Sequence, residues 1–401
     1  MQNYLDSPPE QLPRRSFVGN LQVRISESSP LIQVILGPRQ VGKTTGVMQL
    51  MATEERPFHY ASADDTLAAS RNWILEQWQQ ALLKGPQTVL VIDEIQKIHN
   101  WAETIKGLWD QRSRQKKLHA MILLGSSSLT LQKGLTESLT GRFEVIKVPH
   151  WGFAESASVF GYDLNRYLTY GGYPGAHRFE DDYNRWFSYL KQSVVETVIG
   201  QDILTQTTVA KPALFRQVFE ILCGHPAQIV SYQKLVGQLQ DKGSIESVKH
   251  YIELYQAAFL FETLEKYAKN SSRRKASSPK IVPMCPALFT LSEGPSALDD
   301  PDKMGFLFEA AVGMELSKLS QGSLFYWRES DKNEVDFILT MNGNTYAIEV
   351  KSGRRKSKDG LNVFLNLNPE AIPIIITPDN FPDFASNPGD FLRKLFREKR
   401  V

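Results

Sequence analysis

Cysteine is scarce. Cys223 and Cys285 are the only two in 401 residues. Two cannot staple a chain of this length, and they do not form a close metal-ligand pair, so a disulfide scaffold and a cysteine zinc site both fall away. A reducing, cytoplasmic compartment is the simplest expectation. Long apolar runs are missing too. None reaches the roughly 18 residues that argue for a membrane-spanning helix, and no membrane contact is expected. Residues 1–13 carry Asp6 and Glu10 and lack the apolar centre of a secretory leader. Charge of one sign is also lacking: a net charge of +2 gives no case for a wholly cationic nucleic-acid binder, so any such contact falls to local patches. The seven histidines show no H-E-x-x-H or paired zinc spacing and read as structural. There is no internal repeat.

At roughly 100–200 residues per domain, two to four domains are expected. Short apolar runs at 31–36 (LIQVIL), 88–92 (TVLVI), 119–124 (HAMILL) and 143–148 (FEVIKV) read as buried strands. Helical segments at 67–83 and 101–116 alternate with them, which argues for an α/β fold with a parallel sheet covered by helices. From 151 to about 224 the strand pattern fades and aromatic and aliphatic residues recur at helical spacing, with a turn at Tyr170-Gly171-Gly172-Tyr173-Pro174. Two or three short helices are expected over 231–261. Ser244 can cap one of them, but Ser247 stands where a full capping box would have Glu or Gln. The polar, basic stretch 270–280 (NSSRRKASSPK) suits the tip of a hairpin. After a loop at 293–302, the last block reads as a helix at 304–319 followed by strands at 323–327, 335–339, 345–350 and 374–376.

Gly37-Pro38-Arg39-Gln40-Val41-Gly42-Lys43-Thr44 fits G-x-x-x-x-G-K-[ST] and lies between a strand and a helix, the context the motif requires. Its backbone N–H groups form an anion nest at a helix N-terminus. ATP is the expected ligand, cradled by these eight residues and Thr45. Lys43 reaches the β- and γ-phosphates and Thr44 ligates Mg²⁺. A second strand ends in Asp93-Glu94, with Asp93 placed to hold Mg²⁺ and Glu94 to activate the attacking water. Polar residues after the next strand (Ser126, or Ser127 beside it) can orient that water or merely cap the following helix. Arg142, just before a strand, is a candidate arginine finger acting on ATP in a neighbouring subunit; a structural salt bridge is the plainer alternative. The finger implies a homo-oligomer such as a hexamer.

The second chemical constellation is C-terminal. Glu309 lies on a helix, Asp336 starts a strand, and Glu349-x-Lys351 sits on the next. Period 2 puts Glu349 and Lys351 on one face. Two carboxylates on adjacent strands can hold a hard cation, Glu309 can complete the set, and the lysine can position a water. Metal-assisted phosphodiester hydrolysis needs these groups. The alternative is a retained fold whose acids only bind an ion or a partner. Two basic clusters (Lys266, Lys269, Arg273, Arg274, Lys275 and Lys280; then Lys351, Arg354, Arg355, Lys356 and Lys358) suit DNA phosphates, though such runs are also ordinary solvated surface.

Together GPRQVGKTT, VLVIDEIQKI, LLGSSSL, SLTGRFEVIKV, YLTYGGYP, FLFEAAVGMEL, NEVDFIL and YAIEVKSG resemble a prokaryotic AAA+ P-loop ATPase family, over nearly the whole chain from about residue 31. The resemblance implies an ATPase core over 1–150, a helical lid over 151–230, a winged-helix segment over 231–295 with the basic stretch as its wing, and a PD-(D/E)xK nuclease-like α/β domain over 296–401. That last domain is similar in layout to archaeal Holliday-junction resolvases. In it Asp336, Glu349 and Lys351 match the motif and Glu309 the helical acid. The stretch before residue 31 carries no assigned role. The function so implied is an ATP-driven machine acting on duplex or branched DNA. An ATP-controlled binding switch with a non-cutting nuclease fold is the rival reading.

Overall fold

The computed structural model describes residues 8–65, 70–115, 119–125, 128–205, 207, 209–240, 243–268, 277–319, 322–330, 333–353 and 359–398. By internal contacts the chain forms two compact units, one of residues 1–149 with 196–207, the other of 150–195 with 208–401.

The first unit is built on five parallel strands in the order β2-β3-β4-β1-β5. They are β1 (Ile32–Leu36), β2 (Phe58–Ser62), β3 (Val89–Asp93), β4 (Ala120–Gly125) and β5 (Phe143–Lys147). β1, β3 and β4 are buried along their whole length, which is why they read as unbroken apolar runs. β2 was not expected. Its sequence, FHYAS, is mixed, and every residue in it is only partly buried at the sheet edge. Helices Lys43–Thr53, Arg71–Leu83 and Trp101–Gln115 follow β1, β2 and β3. Because all strands run one way, the segments after β1, β3 and β4 open on one edge of the sheet, where α/β sheets take their ligands.

The stretch before residue 31 is part of this core. Helix Ser16–Ile25 buries Phe17, Val18, Leu21 and Ile25, a single apolar stripe at helical spacing. Phe17 packs so closely on helix Lys43–Thr53 that a Cβ on Gly46 would come within 2.3 Å of its ring.

The second unit opens with helices Phe153–Phe160 and Leu164–Tyr170, turns at 171–173, and continues through Tyr183–Tyr189 into wider π-type turns at Leu190–Val195. Then follow helix Pro212–Cys223, β6 (Gln228–Ile229), helices Tyr232–Gln238 and Ile245–Ala257, and the hairpin β7 (Phe261–Lys266) with β8 (Lys280–Pro283). Ser244 caps its helix from one side only, through Ser247 N at 3.1 Å. The expected loop at 293–302 contains a short 3₁₀ turn, Pro295–Asp299, and the start of helix Pro301–Ser317. That helix is buried nearly all round, so its sequence is apolar on every face. β9 (Gly322–Arg328), β10 (Glu334–Met341) and β11 (Asn344–Val350) form an antiparallel meander. Helix Asp359–Leu367 then crosses to β12 (Ile372–Ile376), parallel to β11.

β7 pairs alongside β9, so hairpin and C-terminal strands share one seven-stranded sheet in the order β12-β11-β10-β9-β7-β8-β6. Phe308, Val312, Phe337, Ile348, Ile374 and Phe381 meet in its core.

Candidate functional site: a phosphate loop and a C-terminal acid cluster

The loop after β1 is held in shape from several sides. Gly37 lies so close to β5's continuation that a Cβ there would stand 2.1 Å from Val148 O. Gly42 takes φ +86° immediately before helix Lys43–Thr53, a conformation that favours glycine. Gln40 is also left-handed, at φ +60°. The Lys43 ammonium donates to Gly37 O at 2.8 Å and Pro38 O at 2.6 Å. Burial pushes it down to about 8, against the opposing pull of Glu94 and Asp93.

Arg39 forms a two-pronged ion pair with Asp202, both contacts at 2.6 Å, and the pairing raises the guanidinium's pKa. Asp202 comes from the 196–207 segment, which belongs to this unit. Arg15, from the stretch with no assigned role, donates to Val41 O and Pro149 O, each at 3.0 Å.

Thr44 and Asp93 meet at the mouth of the loop: the hydroxyl donates to Asp93 Oδ2 at 2.7 Å. Tyr60 of β2 donates to the same oxygen at 3.1 Å, and burial beside Asp93 pushes its phenol up. Hydroxyl and carboxylate side by side are the hard oxygen ligands that Mg²⁺ takes beside nucleotide phosphates, and these two residues would hold it. Bound there, it would neutralise charge on the phosphates. Glu94 stands at φ +52°, a strained position for a non-glycine residue at a strand end. Burial, then the neighbouring Asp93 charge, holds its carboxyl above the ordinary range, and Gln96 Nε2 donates to it. A raised pKa suits a group that accepts a proton.

Ser126 and Ser127 lie outside the described residues, directly after β4. Arg142 precedes β5 and pairs with Asp110 at 2.8 Å, which raises its pKa. Its carbonyl accepts from Ile32 N at the start of β1. It therefore stands at the sheet edge opposite the loop, a strand length of about 16 Å away.

In the second unit, Glu309, Glu334, Asp336 and Glu349 line one cavity of about 400 Å³ together with Arg328. Asp336 sits where the β9–β10 register slips between Val335 and Ile338, and its Oδ2 accepts from Val350 N at 2.7 Å. A bulge re-aims side chains in this way. Lys351 Nζ donates to Glu349 Oε1 at 2.6 Å, as their shared strand face requires. Lys280 is a correction to the basic-patch reading. Its side chain is wholly buried, and its ammonium meets Glu309 Oε1 at 2.5 Å, Asp336 O at 3.1 Å and Glu334 Oε1 at 3.3 Å. Glu309, one of the three expected metal ligands, is thus engaged by an ammonium. Among the described residues no group of three or more His, Cys, Asp or Glu is disposed to hold an ion. Of the other patch residues, Lys269, Arg273, Arg274, Lys275, Arg354, Arg355, Lys356 and Lys358 lie outside the described residues. Nor is any helix among the described residues long and apolar enough to cross a membrane.

Comparison with known proteins agrees on the first unit. An AAA domain family matches residues 29–157, and two domains of unknown function match 161–290 (DUF8612) and 304–386 (DUF4143). Uncharacterized proteins of Mycobacterium tuberculosis and Mycobacterium bovis are each 25% identical over 344 residues, 84% of this chain and 74% of theirs. Among solved structures, a Walker-type ATPase of Pyrococcus abyssi aligns at a TM-score of 0.49 and 14% identity, over 70% of this chain and 95% of that one. The domain match and the loop geometry together make the N-terminal unit a P-loop ATPase core of the AAA class.

Proposed function

We propose that the chain is an ATP-hydrolysing protein that acts on DNA, its AAA motor coupled to a nuclease-like C-terminal module. The observation that carries this reading is the convergence of Glu309, Asp336 and Glu349 on one cavity beside the Lys351–Glu349 pair. It is supported by the order of elements before it. Helix Pro212–Cys223, β6, two helices and the β7–β8 hairpin follow one another as in a winged helix, beginning earlier than residue 231. Asp93 and Thr44 would hold Mg²⁺, which would neutralise phosphate charge; Glu94 is the group that activates water, and Ser126 orients it. Arg142, at the far sheet edge, reaches the ATP of a neighbouring copy in a homo-oligomer.

A second reading, an ATP-controlled binding switch whose nuclease-like fold does not cut, is favoured by the engagement of Glu309 with Lys280. ATP hydrolysis and strand cleavage, followed in one Mg²⁺ reaction with single-stranded, duplex and four-way-junction DNA, separate the two. Cleavage that disappears in Asp336→Ala makes the protein a nuclease. Hydrolysis stimulated by DNA without cleavage makes it the switch. No response to any DNA overturns the DNA reading altogether.

A further inference from the structure

We propose that the Lys280 ammonium is the resident cation of the C-terminal acid cluster, serving there in place of a divalent metal. The inference rests on reading these acids as a nuclease-like site, and it deepens the second, non-cutting form of that reading.

An ammonium has three N–H donors and no acceptor. Lys280 has three oxygen acceptors within reach: Glu309 Oε1 at 2.5 Å, Asp336 O at 3.1 Å and Glu334 Oε1 at 3.3 Å. Its charge also lies 5.0 Å from the centre of the Phe337 ring, whose face attracts cations. A wholly buried ammonium needs such partners, and these three oxygens supply them.

The placement comes from the fold. Lys280 begins β8 and pairs in register with both Leu264 of β7 and Ile229 of β6, so two strands fix its backbone on either side. The sheet shared by β7 and β9 then carries it to the acids.

A divalent ion on the same carboxylates would meet two obstacles. Mg²⁺ demands oxygen ligands at about 2.0–2.1 Å in octahedral order, and Glu309 is already committed to an ammonium. The ion would also stand beside a fixed positive charge, the wholly buried Lys280 ammonium, and the two would repel. Asp336 Oδ2 accepts from Val350 N and Glu349 Oε1 from Lys351, one oxygen of each carboxylate.

The test is to count bound Mn²⁺ by electron paramagnetic resonance on the full chain without nucleotide. The unaltered protein, Glu349→Gln, Lys280→Met and the double variant are compared. The unaltered protein and Glu349→Gln should bind the same number of ions. Lys280→Met should bind one more per chain, and the double variant should lose it again. A count that falls by one in Glu349→Gln overturns the proposal, because a metal would already be held there. So does a Lys280→Met protein that still hydrolyses ATP and gains no ion. If Lys280→Met does not fold, the comparison of the unaltered protein with Glu349→Gln decides alone. Failure of DNA to stimulate hydrolysis would remove the DNA reading and leave the ion count untouched.

Discussion

ATP binding should take up protons in proportion to how far Lys43 is discharged beforehand. Lys43 is 8% exposed, and burial brings its ammonium down to about 8. Phosphate oxygens next to it favour the charged form and return it to about 10.4 or above. At pH 8 half of the lysines are neutral, so binding should take up about half a proton from this residue. The same arithmetic gives about a tenth at pH 7 and about nine-tenths at pH 9. The sign follows: the complex binds more protons than the free protein, so affinity falls as pH rises through about 8, approaching about tenfold per unit above it. Calorimetric titration with ATP, repeated at each pH in buffers of different ionisation enthalpy, reads the uptake directly. Lys43→Arg is the reference, because a guanidinium stays charged throughout; subtracting its uptake removes what ATP and other groups contribute. Equal uptake in the two proteins at pH 8 and 9 would refute the reasoning.

Glu94→Gln should bind ATP as before and hydrolyse it at least about tenfold more slowly, since a neutral amide cannot accept the water's proton; single-turnover kinetics measure it, and normal turnover removes Glu94 from the mechanism. Arg142→Ala should bind ATP and hydrolyse it poorly, and mixing it with Lys43→Ala protein should restore part of the activity. No rescue in a confirmed oligomer counts against a finger acting between subunits. Arg39→Ala leaves Asp202 buried without the cation it faces and should lower stability by about 3 kcal/mol in urea melts, the low end for a buried pair because Arg39 keeps some exposure.

The parallel sheet was legible because burial on both faces writes itself into sequence as unbroken apolar runs, and β1, β3 and β4 are such strands. The G-x-x-x-x-G-K-T spacing and Asp93 were legible because the chemistry is local: a few consecutive residues carry it. β2 escaped because an edge strand need not be apolar, and with it went Tyr60, which reaches Asp93 from 33 residues away. Asp202 lies 163 residues from Arg39, and no periodicity links them. Helix Ser16–Ile25 did carry a signal, the stripe Phe17, Val18, Leu21 and Ile25, hidden by polar neighbours. Lys280 shows the limit of counting charges along a chain. Next to Arg273, Arg274 and Lys275 it reads as surface, whereas the β8 register turns it inward onto Glu309.

The 196–207 segment makes the ATPase unit discontinuous along the chain. A fragment ending at Pro149 would carry every residue of the phosphate loop yet lack the counter-ion of Arg39. Nicking the chain anywhere in 150–195 would cut the backbone without freeing the unit, because one of its pieces stays on the far fragment. The polypeptide passes between the two units three times, at 149–150, 195–196 and 207–208. The 196–207 segment that carries Asp202 is thus bounded on both sides in sequence by residues of the C-terminal unit.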